Sequence, residues 1–361
     1  MLNRIFILII SIALFGLFQL GGAVSFLSDK ALDVLFLLRG PILPSQDIII
    51  IGVDEESLDV LGAWPFPRKH HAELLKQLTQ ARVIGFDILF SEATDQDELL
   101  SDAIKSSPPV ILATAHNYQN RILYPAPSLS GYAGIGHIEI ILNRDGVIRQ
   151  TNTFQHKGHP PLPAFASAIL KVAGSNNENQ SNPDKPILIN HYGPEISFLY
   201  LSYLDVLQGT IPEDFFKDRF VLIGGKALGI GDFHITPFSK QYPTPGVEIQ
   251  ATILNNLVDG SLLKRLHGLS WFFMGLIGLL CLFIWPGKGI RWNWIINFSL
   301  AALLVFSSFI LFRFSFFLSP VPALLFLGLT FGVYLLMERF LMAKEIFSEM
   351  RRLDHQLETR L

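Results

Sequence analysis

Residues 220–238 read FVLIGGKALGIGDFHITPF. The run FVLIGG is apolar up to its glycines and does not alternate, which suits a strand covered on both faces, as in a parallel sheet. Four glycines after such a strand also open many phosphate-binding loops, so the stretch raises the question of a nucleotide site. The phosphate fingerprints are not met. In G-x-x-x-x-G-K-[ST] the lysine and hydroxyl meet phosphate and magnesium, but Ile230 and Gly231 stand at those places. The G-x-G-x-x-G pattern is also absent, and Thr236-Pro237 interrupts the chain where a helix should begin. The reading is a turn-rich loop carrying Asp232 over a sheet edge, closed by a helix at 245–260.

Working outward, DIIIIGVD (47–54), RVIGFDILF (82–90) and PVILATA (109–115) are runs of the same kind. Between them, 71–81 and 95–105 carry leucines on one helical face, which gives a βαβ rhythm with right-handed crossovers. The segment 136–155 departs from it, because two extended stretches flank Asn143-Arg144-Asp145-Gly146 and predict an inserted β-hairpin. A helix is expected at 162–174 and a mobile polar loop at 175–186, while PGVEIQATILNNLVDG (245–260) reads as a helix ending at Gly260.

The chain has 361 residues, half of them hydrophobic and 16% charged, with 30 phenylalanines. Such a composition places part of it in lipid. Residues 5–27 hold no charge until after Leu27 and predict an anchor helix within 1–27; a cleaved signal peptide with small residues at Gly21 and Ala23 is the alternative. Three more spans are expected at 268–286, 294–312 and 319–337, followed by a helix at 339–361. In that last helix Ile346, Met350, Leu353 and Leu357 trace a short coiled-coil seam or one face of a solvated helix.

Arg4, Lys288, Arg291, Arg339, Lys344, Arg351 and Arg352 cluster in the segments expected inside, so both termini are expected in the cytoplasm and 28–266 outside. That exterior region holds 26 Asp and Glu against 19 Lys and Arg, a net of −7. An acidic surface argues against nucleic acid or anionic lipid as its partner. The one cysteine, Cys281, lies in a span, so the exterior domain is expected to stand without disulfides or a thiol nucleophile. The histidines are dispersed and no cofactor or metal motif is present.

Candidate site residues come from the strand ends. Asp54, Asp87 and Asp232 lie at or beyond carboxyl ends, where open α/β sheets bind ligands; each can equally cap a helix or turn. In WPFPRKHH (64–71), Trp64 can stack a ligand and Arg68 clamp an anion at a helix start, or Arg68 can pair with a carboxylate.

Taken together, IIIIGVDEESLDVLGAWPFPRKHHAELL, RVIGFDILFSE, NRDGVIRQ, FKDRFVLIGG, GIGDFHITPF and PGVEIQATILNNLVDG resemble the second class of cyclase/histidine kinase-associated sensory extracellular (CHASE) domains, over roughly 28–265. By matching positions the family-like residues are Asp54, Trp64, Arg68, Asp87, Asp145, Gly224, Asp232, Pro237, Gly246 and Glu248. The resemblance implies a sensor of the bacterial inner membrane, with three helices after the exterior domain and an unknown extracytoplasmic ligand. Residues 1–361 carry no kinase, cyclase or phosphodiesterase pattern, so the output is expected from a cytoplasmic signalling enzyme in trans, with homodimerisation through the last helix. The expected architecture is an α/β extracytoplasmic domain, its sheet mostly parallel with an inserted hairpin, plus an α-helical transmembrane bundle. The rivals are a membrane-anchored, metal-dependent periplasmic hydrolase using Asp54, Asp87 and Asp232, and a non-sensing envelope scaffold.

Overall fold

In the computed structural model, residues 2–119, 121–152, 154–155, 162–174, 186–239, 242–283 and 289–358 are described. The loop expected at 175–186 lies almost wholly outside them, as do 284–288, which take in the end of the span expected at 268–286. The chain forms two compact units, Phe36–Lys264 and Met1–Leu35 with Arg265–Leu361.

The first unit is built on strands β1 (Ile48–Val53), β2 (Val83–Asp87), β3 (Val110–His116), β4 (Ile122–Leu123), β5 (Gly134–His137), β6 (Ile141–Leu142), β7 (Ile148–Thr151), β8 (Ile187–Leu188), β9 (Leu199–Ser202) and β10 (Phe220–Gly225). Parallel pairing runs β9-β1-β10-β2-β3-β5, and β4 joins β3 antiparallel. The four apolar runs thus occupy the centre, which is why both of their faces are hydrophobic. The segment 136–155 divides. Its first residues extend β5 beside β3, while β6 and β7 pair antiparallel across a bulge, with the turn closed by Gly146 N donating to Asn143 O at 2.8 Å.

Side chains alternate between two helical layers. Ile49, Ile51, Ile84, Phe86, Leu112 and Ile223 pack against α4 (Arg68–Gln77), α5 (Asp97–Ser106) and α7 (Tyr203–Leu207), beyond α3 (Glu55–Leu61). Ile48, Ile50, Val83, Ile111 and Leu222 pack against α6 (Phe165–Val172) and α8 (Gly246–Asp259). Small residues make the second layer tight: a Cβ at Gly136 would stand 2.6 Å from the Cα of Phe165. Helix α8 ends where its sequence says it should, at Gly260, whose φ of 63° is left-handed.

The second unit contains α1 (Leu2–Leu20), most of α2 (Ala23–Arg39), α9 (His267–Phe283), α10 (Ile290–Arg313) and α11 (Val321–Glu358). Its core joins Phe15, Met274, Ile277, Leu304, Phe326 and Phe331. The anchor expected over 5–27 is interrupted, because Gly21-Gly22 turns the chain, with φ 75° at Gly22. Asn3–Leu20, Ile290–Arg313 and Val321–Gln356 are long and apolar enough to cross a membrane, while Gly268–Leu280 is a shorter apolar helix. The last expected span and the helix after it are one continuous element, α11.

Candidate functional site

The carboxyl edge of the sheet is shaped by glycines. Gly52 and Gly224 are register partners, and Gly224 stands opposite Asp87. Each glycine makes room for something specific. A Cβ at Gly52 would meet the Lys226 Cβ at 3.0 Å and the Tyr200 ring at 3.2 Å, so Lys226 lies along this face with its Nζ 5.4 Å from the Tyr200 ring centroid. A Cβ at Gly224 would meet Val247 Cβ at 2.7 Å and Asp87 Cβ at 3.3 Å. The first turn of α8 therefore sits directly on β10, beside Asp87.

Asp232 reaches the same turn from the loop after β10. Gly246 N donates to its carbonyl oxygen at 2.8 Å, and a Cβ on Gly246 would collide with its carboxylate. His234 Nε2 donates to Asp232 Oδ2 at 2.9 Å. One residue past Val247, Glu248 is buried and accepts from Ile196 N at 2.9 Å, Ser197 N at 2.7 Å and Tyr200 OH at 3.0 Å. Three acids thus gather at the amino end of α8, where the helix dipole favours negative charge.

Their protonation differs for physical reasons. Asp87 keeps some solvent contact as a residue, but the protein packed around its carboxyl, followed by the charge of Asp232, pushes it up to about 8. Burial also raises Glu248, against the three hydrogen bonds it accepts, and drives Tyr200 far up. The Asp232 side chain is exposed to solvent, and although the protein around it acts to raise its pKa, the bond and charge of His234 prevail and hold it below its ordinary value. The arrangement sets a carboxyl whose pKa is raised next to one whose pKa is lowered.

This arrangement can be set against known proteins. A family model described as the CHASE2 domain matches residues 7–290. The chain belongs to the CHASE2 family. CHASE2 is a sensory extracellular domain family, and this chain couples it to apolar helices at both ends. No curated protein and no solved structure matches the chain.

Within this CHASE2 domain the other sequence candidates go elsewhere. Asp54 caps α3, accepting from Ser57 N at 3.1 Å, Ser57 Oγ at 2.6 Å and Ser202 Oγ at 3.1 Å. Burial raises its pKa, but those bonds and the charge of Lys226 bring it below the ordinary value. Arg68 is buried on the opposite helical layer, donating to Asp97 Oδ1 at 3.1 Å and Glu92 O at 2.9 Å with Phe90 beneath its guanidinium. Trp64 packs edge-on against Phe66 and His71. A cleft of about 460 Å³ opens beside Arg68 between Pro65 and Glu92, and Asp87 does not line it. Asp145 is taken by the bidentate guanidinium of Arg149, at 2.9 and 2.7 Å, and Pro237 is buried. Among the described residues no three His, Cys, Asp or Glu are grouped to hold a metal ion, so Asp54, Asp87 and Asp232 do not form one coordinating set.

The site also includes residues that the sequence did not single out: Gly52, Tyr200, Lys226 and His234. Gly52 carries the only local signal, a glycine inside an isoleucine run, which marks a close approach of another group.

The far end of α8 is equally specific. Asn256 is fully buried and pairs both ways with the Asn190 backbone, and Asn190 in turn accepts from Arg39 Nη1 at 2.5 Å. Arg39 also reaches His191 O, and Asn190 Nδ2 donates to Ser261 O at 3.0 Å. Asn190 therefore ties together the residues at which the chain enters this unit and those at which it leaves.

Proposed function

We propose that this chain is a sensor subunit of the bacterial inner membrane. Its CHASE2 domain lies outside, both termini lie in the cytoplasm, and a homodimer formed through the end of α11 relays an extracytoplasmic stimulus to a separate cytoplasmic enzyme. The observation that carries the reading is the placement of α8. Its first turn touches Asp87 and Asp232, and its last turn meets Asn190, which holds Arg39 at the end of α2. One 14-residue helix, about 21 Å long, joins a polar edge site to both chain connections. A stimulus acts through it only by favouring one state of the domain over another, since equal affinity for both shifts nothing.

The output end supports a dimer by its exposure. Ile346, Phe347, Met350 and Leu353 on α11 are all more than half exposed, and a second copy of the same helix would cover them. The test is disulfide crosslinking of full-length chains in membranes, with single cysteines at 346, 350 and 353 in a Cys281→Ser background. Dimers at the seam positions are expected; their absence at all three contradicts the relay.

A further inference from the structure

The Asp87–Asp232 pair stands in a place that makes its protonation consequential. Asp87 is fixed on a central strand, opposite Gly224 and against Val247. Asp232 is held to α8 by the bond from Gly246 N, the next two residues, Phe233–His234, pair antiparallel with Thr244–Pro245, and Ile148 N of β7 donates to Ile235 O at 2.8 Å. We infer that this junction is a proton switch: deprotonation of Asp87 places a second charge beside Asp232, expels the 231–235 loop from the amino end of α8, and so makes external pH the stimulus that α8 transmits.

The groups facing Asp87 favour this outcome. The segment after β10 supplies Asp232 with its partner His234 and β9 supplies Tyr200, while Glu248 on α8 is engaged by Ile196, Ser197 and Tyr200, and Asp54 at the end of β1 by Ser57, Ser202 and Lys226. Lys226 lies over Tyr200, where it lowers Asp54. At the opposite end of β2, Arg82 donates to Ala173 O, just past the end of α6, at 3.0 Å. Among the described residues no hydrogen bond to Asp87 is present, and its ionisation sets a second charge beside that of Asp232. Its neutral form persists up to about pH 8, which puts the transition in an ordinary environmental range. Gly246 is what lets the carboxylate of Asp232 come this close, since any Cβ there would displace it.

The inference rests on the sensor reading and fails separately from it. The test is hydrogen exchange of the Gly246–Gln250 amides in the full-length chain in nanodiscs between pH 6 and 9, after correction for intrinsic rates. With an opened state in which Asp87 recovers its ordinary pKa, opening grows about tenfold per pH unit and levels off near 8. Asp87→Asn abolishes that growth. Asp232→Asn removes only the neighbouring charge and moves the plateau to lower pH, which keeps the test valid if the first variant folds poorly. Corrected protection that is flat from pH 6 to 9 in the native chain, or a plateau unmoved by Asp232→Asn, overturns the switch, while crosslinks at 346, 350 or 353 continue to support the relay.

Discussion

Asn256 accepts a hydrogen bond from Asn190 N at 2.7 Å and returns one to Asn190 O at 3.0 Å, with no water needed to satisfy either backbone group. A side-chain amide that mimics a strand partner in this way is hard to replace. Asn256→Ala leaves two buried backbone groups without partners and is expected to cost about 2–4 kcal/mol. Chemical denaturation of the full-length chain measures it, and a loss below about 1 kcal/mol contradicts the role given to this pair.

Arg68 offers a second stability test, on the opposite helical layer. Its guanidinium and the Asp97 carboxylate are both almost fully buried, so Arg68→Met strands a charge and is expected to cost about 3–5 kcal/mol. Lys105→Ala, which breaks the solvent-facing contact to Asp102, is expected to leave the unfolding midpoint unchanged.

The pH dependence of stability separates two opposing groups. Burial lowers His71 to about 3 and His137 and His191 to about 4, so the folded state holds fewer protons than the unfolded state below the ordinary histidine value of 6.5. Their contribution is present above pH 6.5 and is lost as pH falls toward 4, at about 1.4 kcal/mol per pH unit for each. Asp87 has the reverse sign. Its raised value gives stability that is complete below pH 3.8 and lost as pH climbs through about 8. Between 6.5 and 8 only Asp87 of these four titrates, so stability is expected to decline there in the native chain and to stay level in Asp87→Asn. Unfolding curves at half-unit pH steps decide it.

Glycine substitutions distinguish framework from site. Gly136→Ala drives a Cβ into the backbone of α6 and is expected to lower the melting temperature sharply. For Gly246→Ala the nearest atoms belong to the carboxylate of Asp232, an exposed side chain, so its expected effect is small on stability and large on the pH response of α8. Equal melting losses for the two contradict the assignment of Gly246 to the site.

These tests also mark what the sequence makes legible. β1, β2, β3 and β10 announce themselves as unbroken apolar runs because both of their faces are covered, and α8 is bounded by Pro245 and Gly260. β9 and β5 do not. LYLS is short and runs straight into α7, and in GIGH the glycine at 136 is required because α6 presses on it, a reason that lies 29 residues further along the chain, at Phe165, while Gly134 makes room for Ile111 of β3. Among the site residues, the acids at strand ends are visible, but which of them meet is not. Asp54 and Asp87 end neighbouring runs yet face different partners, Ser57 and Ser202 for one and Asp232 for the other. The break at Gly21-Gly22 is spelled in the sequence too, but hydropathy averaged over a span-length window passes over two residues.

The claim on which the rest depends is that the CHASE2 domain and the end of α11 lie on opposite sides of one membrane. Leu228 and Phe347 are both well exposed within their own units, so each tolerates a reporter thiol. In a Cys281→Ser background, a membrane-impermeant maleimide applied to spheroplasts is expected to label Leu228→Cys at once and Phe347→Cys only after the membrane is opened. Labelling of both before permeabilisation, or of neither, contradicts the account.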